Sequence, residues 1–197
     1  MDLSFSDYEI GLVTDARVLL TKNEIIRKVS QFFGGIAEAY KEEISKKDIS
    51  FKHLINPKIS KGENYLGLPY IMLDFPREFG KSDIFAIRSF FWWGNFFSIT
   101  LHLSGSYLRQ NLPGVKSAIN KKIFSDWFIA IGKSQWDHHF EKDNYMPVDN
   151  FDLSNATFSY FKMAKKIPLS EWDKIDTFFL ENFSLLINTL ADQAPIL

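Results

Sequence analysis

Residues 83–105, DIFAIRSFFWWGNFFSITLHLSG, read as two β-strands turned back on each other at Gly94-Asn95. Aromatic and β-branched residues flank a Gly-Asn pair, and Gly at the first central position of a two-residue loop supplies the positive φ of a type II′ turn. Such a loop sets the register, with Trp93 opposite Phe96, Trp92 opposite Phe97, Phe90 opposite Ile99 and Arg88 opposite Leu101. Opposed residues share a face and faces alternate along a strand. This predicts a core face of Ile84, Ala86, Phe90, Trp92, Phe97, Ile99, Leu101 and Leu103, interrupted by Arg88. The other face is mixed: Phe85, Ile87, Phe91, Trp93 and Phe96 beside Ser89, Ser98, Thr100, His102 and Ser104.

Around this hairpin the chain carries two helical signals. Residues 22–45 place Ile25, Ile26, Val29, Phe32, Phe33, Ile36, Ala37, Tyr40 and Ile44 at helical spacing, after a capping-box pattern at Thr21 and Glu24. Residues after Ser170 repeat the pattern through Ile175, Phe179, Phe183, Leu186, Ile187 and Leu190. A weaker short helix is expected near 7–12 and another within 49–54, where His53 reads as an ordinary surface imidazole. Strands are expected at 68–75, 126–133 and 156–166, and Pro113-Gly114 is expected to split the helical segment after the hairpin. Helices first, strands between and a helix last predict an α+β fold. The expectation is a single domain over 1–197, an antiparallel sheet of four to five strands with two long helices, N-terminal and C-terminal, packed on one face.

Composition narrows the function classes. Phe, Tyr and Trp make up 16% of the 197 residues, enough to fill a large core. A formal net charge of −1 gives no basic footprint for nucleic acid. The absence of Cys removes disulfides, thiolate nucleophiles and thiolate metal sites. No secretory signal pattern opens the sequence and no apolar run is long enough for a membrane span, so a cytoplasmic protein with no membrane association is expected.

Strict catalytic and phosphate-binding motifs are absent: no Walker loop, dinucleotide fingerprint, G-x-S-x-G elbow or H-E-x-x-H pair. His138 and His139, in WDHHFE, lack the spacing and ligand number of a metal site, and no metal or cofactor is implied. Ser98, Thr100 and His102 stand two apart on one strand, ~7 Å between alternate Cα atoms, which is long for a Ser-His nucleophile pair. The sequence assigns no reaction.

Two readings of function remain. In the first, Ser89, Trp93, Ser98, Thr100 and His102, with Arg88, His138 and His139, line a cavity under loop 134–155 that takes a small molecule or peptide. Hydroxyls and imidazoles would supply hydrogen bonds and the aromatics a desolvated wall, with His102 giving a pH dependence between 5 and 8. In the second, the aromatic face meets another protein chain, including a copy of itself, and carries no chemistry. An Arg88 on an apolar face needs an acceptor, for which Asp74 is the sequence candidate.

Overall fold

The computed structural model of the protein describes residues 3–47 and 56–191; His53 and the short helix expected around it lie outside them. Seven strands run as β1 (Lys58–Tyr65), β2 (Leu68–Phe79), β3 (Ile84–Trp92), β4 (Phe96–Ser104), β5 (Phe128–Ala130), β6 (Tyr145–Pro147) and β7 (Tyr160–Pro168). Four α-helices accompany them: α1 (Asp7–Thr14), α2 (Ala16–Ser45), α3 (Gly105–Asn120) and α4 (Ile175–Ala191). The strands form one antiparallel sheet in the order β1-β2-β3-β4-β7-β5-β6. The fold is therefore α+β, but the sheet has seven strands instead of four to five. The additional ones carry little periodic signal. Strand β1, KISKGENY, is a polar edge strand with no buried residue, protected by its lysines, and β6 is three residues, while β5 lies within the strand expected at 126–133 but keeps only three residues of it.

The hairpin is present, with a different loop. Its last pair is Trp92 opposite Phe96, so the connection is three residues, Trp93, Gly94 and Asn95. Asn95 N–H donates to the Trp92 carbonyl at 3.1 Å, and Gly94, at φ +71°, is the third residue of that turn, where a type II geometry requires positive φ. The register moves by one residue, which turns the whole of β4 over relative to β3. One face now holds Phe85, Ile87, Ser89 and Phe91 with Phe97, Ile99, Leu101 and Leu103. The opposite face holds Ile84, Ala86, Arg88, Phe90 and Trp92 with Phe96, Ser98, Thr100, His102 and Ser104. Every residue of β3 and β4 is buried, so neither face is open.

The first face is almost wholly apolar and meets helical residues. Phe33 of α2 stands edge-on to Phe97 and to Phe179 of α4, Tyr107 of α3 stands edge-on to Phe85, and Phe75 stacks with Phe183. Its single polar member, Ser89, is satisfied: its hydroxyl lies 3.1 Å from that of Tyr40, which donates to the Phe179 carbonyl at 3.3 Å and stacks on Phe183. Burying each such large apolar side chain contributes about 1.5–3 kcal/mol, so this interface supplies most of the hydrophobic stabilisation.

Helix boundaries shift where local chemistry competes. Helix α2 starts at Ala16, because Asp15 accepts from the Arg17 amide at 2.9 Å, and the Thr21–Glu24 pattern falls inside it. The capping box that forms belongs to α1, between Ser6 and Glu9. Helix α3 runs through Pro113: the missing N–H forfeits one bond, but Leu108, Val115, Ala118 and Ile119 bury the turns on both sides. Residues Leu169–Lys174 form a 3-10 turn in which Ser170 makes no capping bond, and α4 begins only at Ile175. Among the described residues, no helix is long and apolar enough to cross a membrane.

Candidate functional site

The second face of the sheet carries the chemistry. Asp74 on β2, Arg88 on β3 and Thr100 on β4 lie in register across three strands; one residue pair along, His102 faces Lys162 on β7. All five side chains are buried. Arg88, His102 and Lys162 are covered by residues 134–141, SQWDHHFE, a segment without periodicity that is fastened to the sheet almost residue by residue, and Thr100 bonds to Tyr145. Gln135 Oε1 accepts from His102 Nε2 at 2.9 Å, Trp136 stands edge-on to His102, and His138 contacts Arg88. Phe140 stacks on Tyr145 and meets Phe96 and Phe128 edge-on.

Arg88 is the hub. Its Nε and Nη2 donate to Asp74 Oδ1 and Oδ2 at 2.6 and 2.9 Å, a bidentate pair, and its Nη1 donates to His138 Nε2 at 3.0 Å. Three of five guanidinium N–H groups are thereby used; the other two find no partner among the described residues. A guanidinium cannot accept, so His138 Nε2 is the bare nitrogen and the neutral ring carries its proton on Nδ1.

That proton faces Lys162. His138 Nδ1 lies 3.5 Å from Lys162 Nζ, which also donates to the backbone carbonyls of Gln135, at 3.2 Å, and Asp137. An uncharged amine has two N–H groups and one lone pair, and these match two carbonyls and one Nδ1–H. An ammonium would instead oppose a third N–H to the imidazole proton. Burial, and then the charge of Arg88, push Lys162 down to about 7 against a smaller opposing effect of Asp137. With 1% of its surface exposed, Lys162 is a buried base that changes charge near neutrality.

The imidazoles do not. Burial and then Lys162 lower His102 to about 4, and burial with the Lys162 and Arg88 charges holds His138 well below the usual histidine range. The expected pH 5 to 8 response of His102 is thus displaced to acid pH. Tyr65 orders the other end of the loop: its hydroxyl accepts from the His138 and His139 amides at 2.5 and 3.1 Å, leaving its own proton for His139 Nδ1 at 3.0 Å.

Beside Arg88 and His138 opens a cavity of about 240 Å³, walled by Tyr65, Tyr70, Met72, Phe90 and Trp136. A larger cleft of about 320 Å³, lined by Gly114, Ser117, Lys121, Asn188 and neighbours, brings no buried charge to its wall. Among the candidate site residues, Arg88 and His138 reach the cavity. Ser98, Thr100 and His102 share the sheet face but are sealed beneath the loop, and His139 sits at its edge on Tyr65. Ser89 is on the opposite face against Tyr40, and Trp93 lies in the turn, packed edge-on to Phe91. Both displacements follow from the one-residue register shift. Nor do β3 and β4, among the described residues, offer an aromatic face open to a partner chain, since both are buried throughout.

Sequence reasoning missed Lys162, Tyr65, Tyr70, Met72, Trp136 and Tyr145. Lys162 left a trace: in 160–166 the alternation that buries Phe161 and Met163 on one side puts Tyr160 and Lys162 together on the other. Among the described residues no group of three or more His, Asp and Glu side chains is placed to share a metal ion. Fold and site together define an antiparallel α+β protein with a buried Asp-Arg-His-Lys chain beneath an aromatic cavity. No protein-family model matches the chain, and comparison with curated proteins and with solved structures gives no significant match.

Proposed function

We propose that the protein binds a small planar ligand with an acidic group in the cavity beside Arg88, and that the face met by the helices is its structural side. The observation that carries this reading is the Arg88 guanidinium, fixed by Asp74 at the edge of an aromatic-walled cavity with two N–H groups still to be matched. Size supports a single ring: cavities of about 150 Å³ already accept benzene, and this one measures about 240 Å³. Field supports an anion, because the Arg88 charge that helps keep His138 uncharged would stabilise a carboxylate taking its two remaining N–H groups. Tyr65, Tyr70 and Phe90 offer ring faces and edges, and Trp136, half exposed, stands at the mouth.

Thermal unfolding and tryptophan fluorescence with benzoate and benzamide test the reading. Benzoate is expected to raise the midpoint and perturb the fluorescence, more than benzamide does, since a ligand at a hundred times its Kd adds about 2.7 kcal/mol. Met72→Trp, which fills the cavity from its wall, should abolish both effects while the protein still unfolds cooperatively. No response to either probe, or a response that survives Met72→Trp, rejects the cavity as the binding site.

A further inference from the structure

No residue from 3 to 25 is buried, although this stretch holds α1 and the first ten residues of α2. Its apolar residues are large and open: Leu3, Phe5, Tyr8, Val13, Leu19 and Leu20 are between 56% and 80% exposed. They do not form one stripe. In α2, Val18, Leu19 and Leu20 are consecutive, so they point in three directions, and α1 shows no buried side at all. A helix apolar around its circumference is one that needs cover on more than one side.

The amount matters. Nine large apolar residues, the six above with Ile10, Leu12 and Val18 at 40–45% exposure, together leave roughly 900 Å² in one short segment, about what each side of a standard interface contributes. Charge then selects the occupant. Residues 3–25 carry Asp7, Glu9, Asp15 and Glu24 against Arg17 and Lys22, and Glu24 pairs with Arg27 and Lys28 just beyond, which brings the local balance to neutral. Helices that lie on lipid surfaces instead carry a Lys- and Arg-rich polar face. A strongly charged partner finds no complementary field here. A second copy brings the same balanced set without like-charge cost, through a two-fold contact that is self-complementary by construction. Two copies also bring four helical segments together, which encloses apolar residues on several sides of each.

We infer that residues 3–25 form the interface of a homodimer, in which α1 and the start of α2 of one chain pack against the same segment of a second. The core begins at Ile26, with Ile25 packed at its edge, so Val13 and Leu19 lie outside it. Sedimentation equilibrium of the full chain at micromolar concentrations tests this, with Val13→Glu/Leu19→Glu as the variant. The wild type should sediment at about twice the 22.9 kDa chain mass, and the variant at the chain mass with unchanged near-ultraviolet circular dichroism. A wild type that stays monomeric, including one that instead floats with lipid vesicles, overturns the inference. So does a variant that dimerises as tightly as the wild type.

Discussion

Arg88 and Asp74 stand directly opposite each other on β3 and β2 and close a bidentate ion pair, with Nε–Oδ1 at 2.6 Å and Nη2–Oδ2 at 2.9 Å, both side chains buried. Such a pair adds little net stability over a well-packed apolar one, because desolvation offsets attraction, but breaking it strands a buried charge. Asp74→Ala should therefore lower unfolding stability in urea by roughly 3–5 kcal/mol. The double variant Asp74→Leu/Arg88→Met should recover most of that loss while removing the cavity's cationic floor. A loss below about 1 kcal/mol for the single variant, typical of a surface pair, would show that the guanidinium reaches water.

The position of that pair could not be read from the hairpin's letters. Gly-Asn between aromatic strands marks a turn, and it satisfies equally a two-residue loop with Gly first and a three-residue loop with Gly in the middle. Trp92 and Trp93 are chemically alike, so nothing in composition separates the registers; the choice is made by which set of β4 residues meets Phe33, Tyr40 and Phe179. The two helical stripes and the four central strands were legible because each repeats its period over many residues. Strand β1 was not, since an exposed edge has no apolar alternation, nor was the three-residue β6, while β5 was legible within 126–133 but pairs over only three of those residues. The roof 134–141 was legible only as an aperiodic loop. Its contacts with His102, Arg88 and Lys162 are 24 to 50 residues distant in sequence and belong to the tertiary fold alone.

Gly34 and Gly35 sit inside α2, and a methyl group built on either meets no heavy atom within 4 Å beyond the helix's own backbone. Close approach of another element does not explain them, and nothing else in the structure does. Each costs the helix conformational entropy without a packing return. Gly34→Ala and Gly35→Ala should each raise stability by about 0.5–1 kcal/mol, and the pair should be nearly additive in the midpoint of chemical unfolding. Destabilisation by either would point to a tight neighbour at that helix.

Lys162 gives the protein a stability that depends on pH in a window where His102 and His138 do not titrate. A free lysine side chain loses its proton near 10.5, while the buried amine does so near 7. Between those values the unfolded chain holds the additional proton, so stability rises with pH, by up to about 1.4 kcal/mol per unit from this group. The contribution is complete above the unfolded value and is lost as pH falls towards 7. His102 acts in the same sense at acid pH, where stability is lost as pH falls from 6.5 to about 4. Lys162→Met removes the first effect and weakens the second, since, after burial, the Lys162 charge is part of what lowers His102. It leaves the carbonyls of Gln135 and Asp137 and the Nδ1–H of His138 without their partner, so its absolute stability falls at every pH. The informative quantity is the slope: below about pH 10, before the unfolded chain's tyrosines ionise, the variant's stability curve should be flatter than the wild type's by close to one proton. The acid limb should persist in the variant but be shallower, because burial alone still lowers His102. Parallel curves between pH 7 and 10 would mean that Lys162 keeps its charge in the folded protein, and the assignment of an amine lone pair to His138 would fall with it.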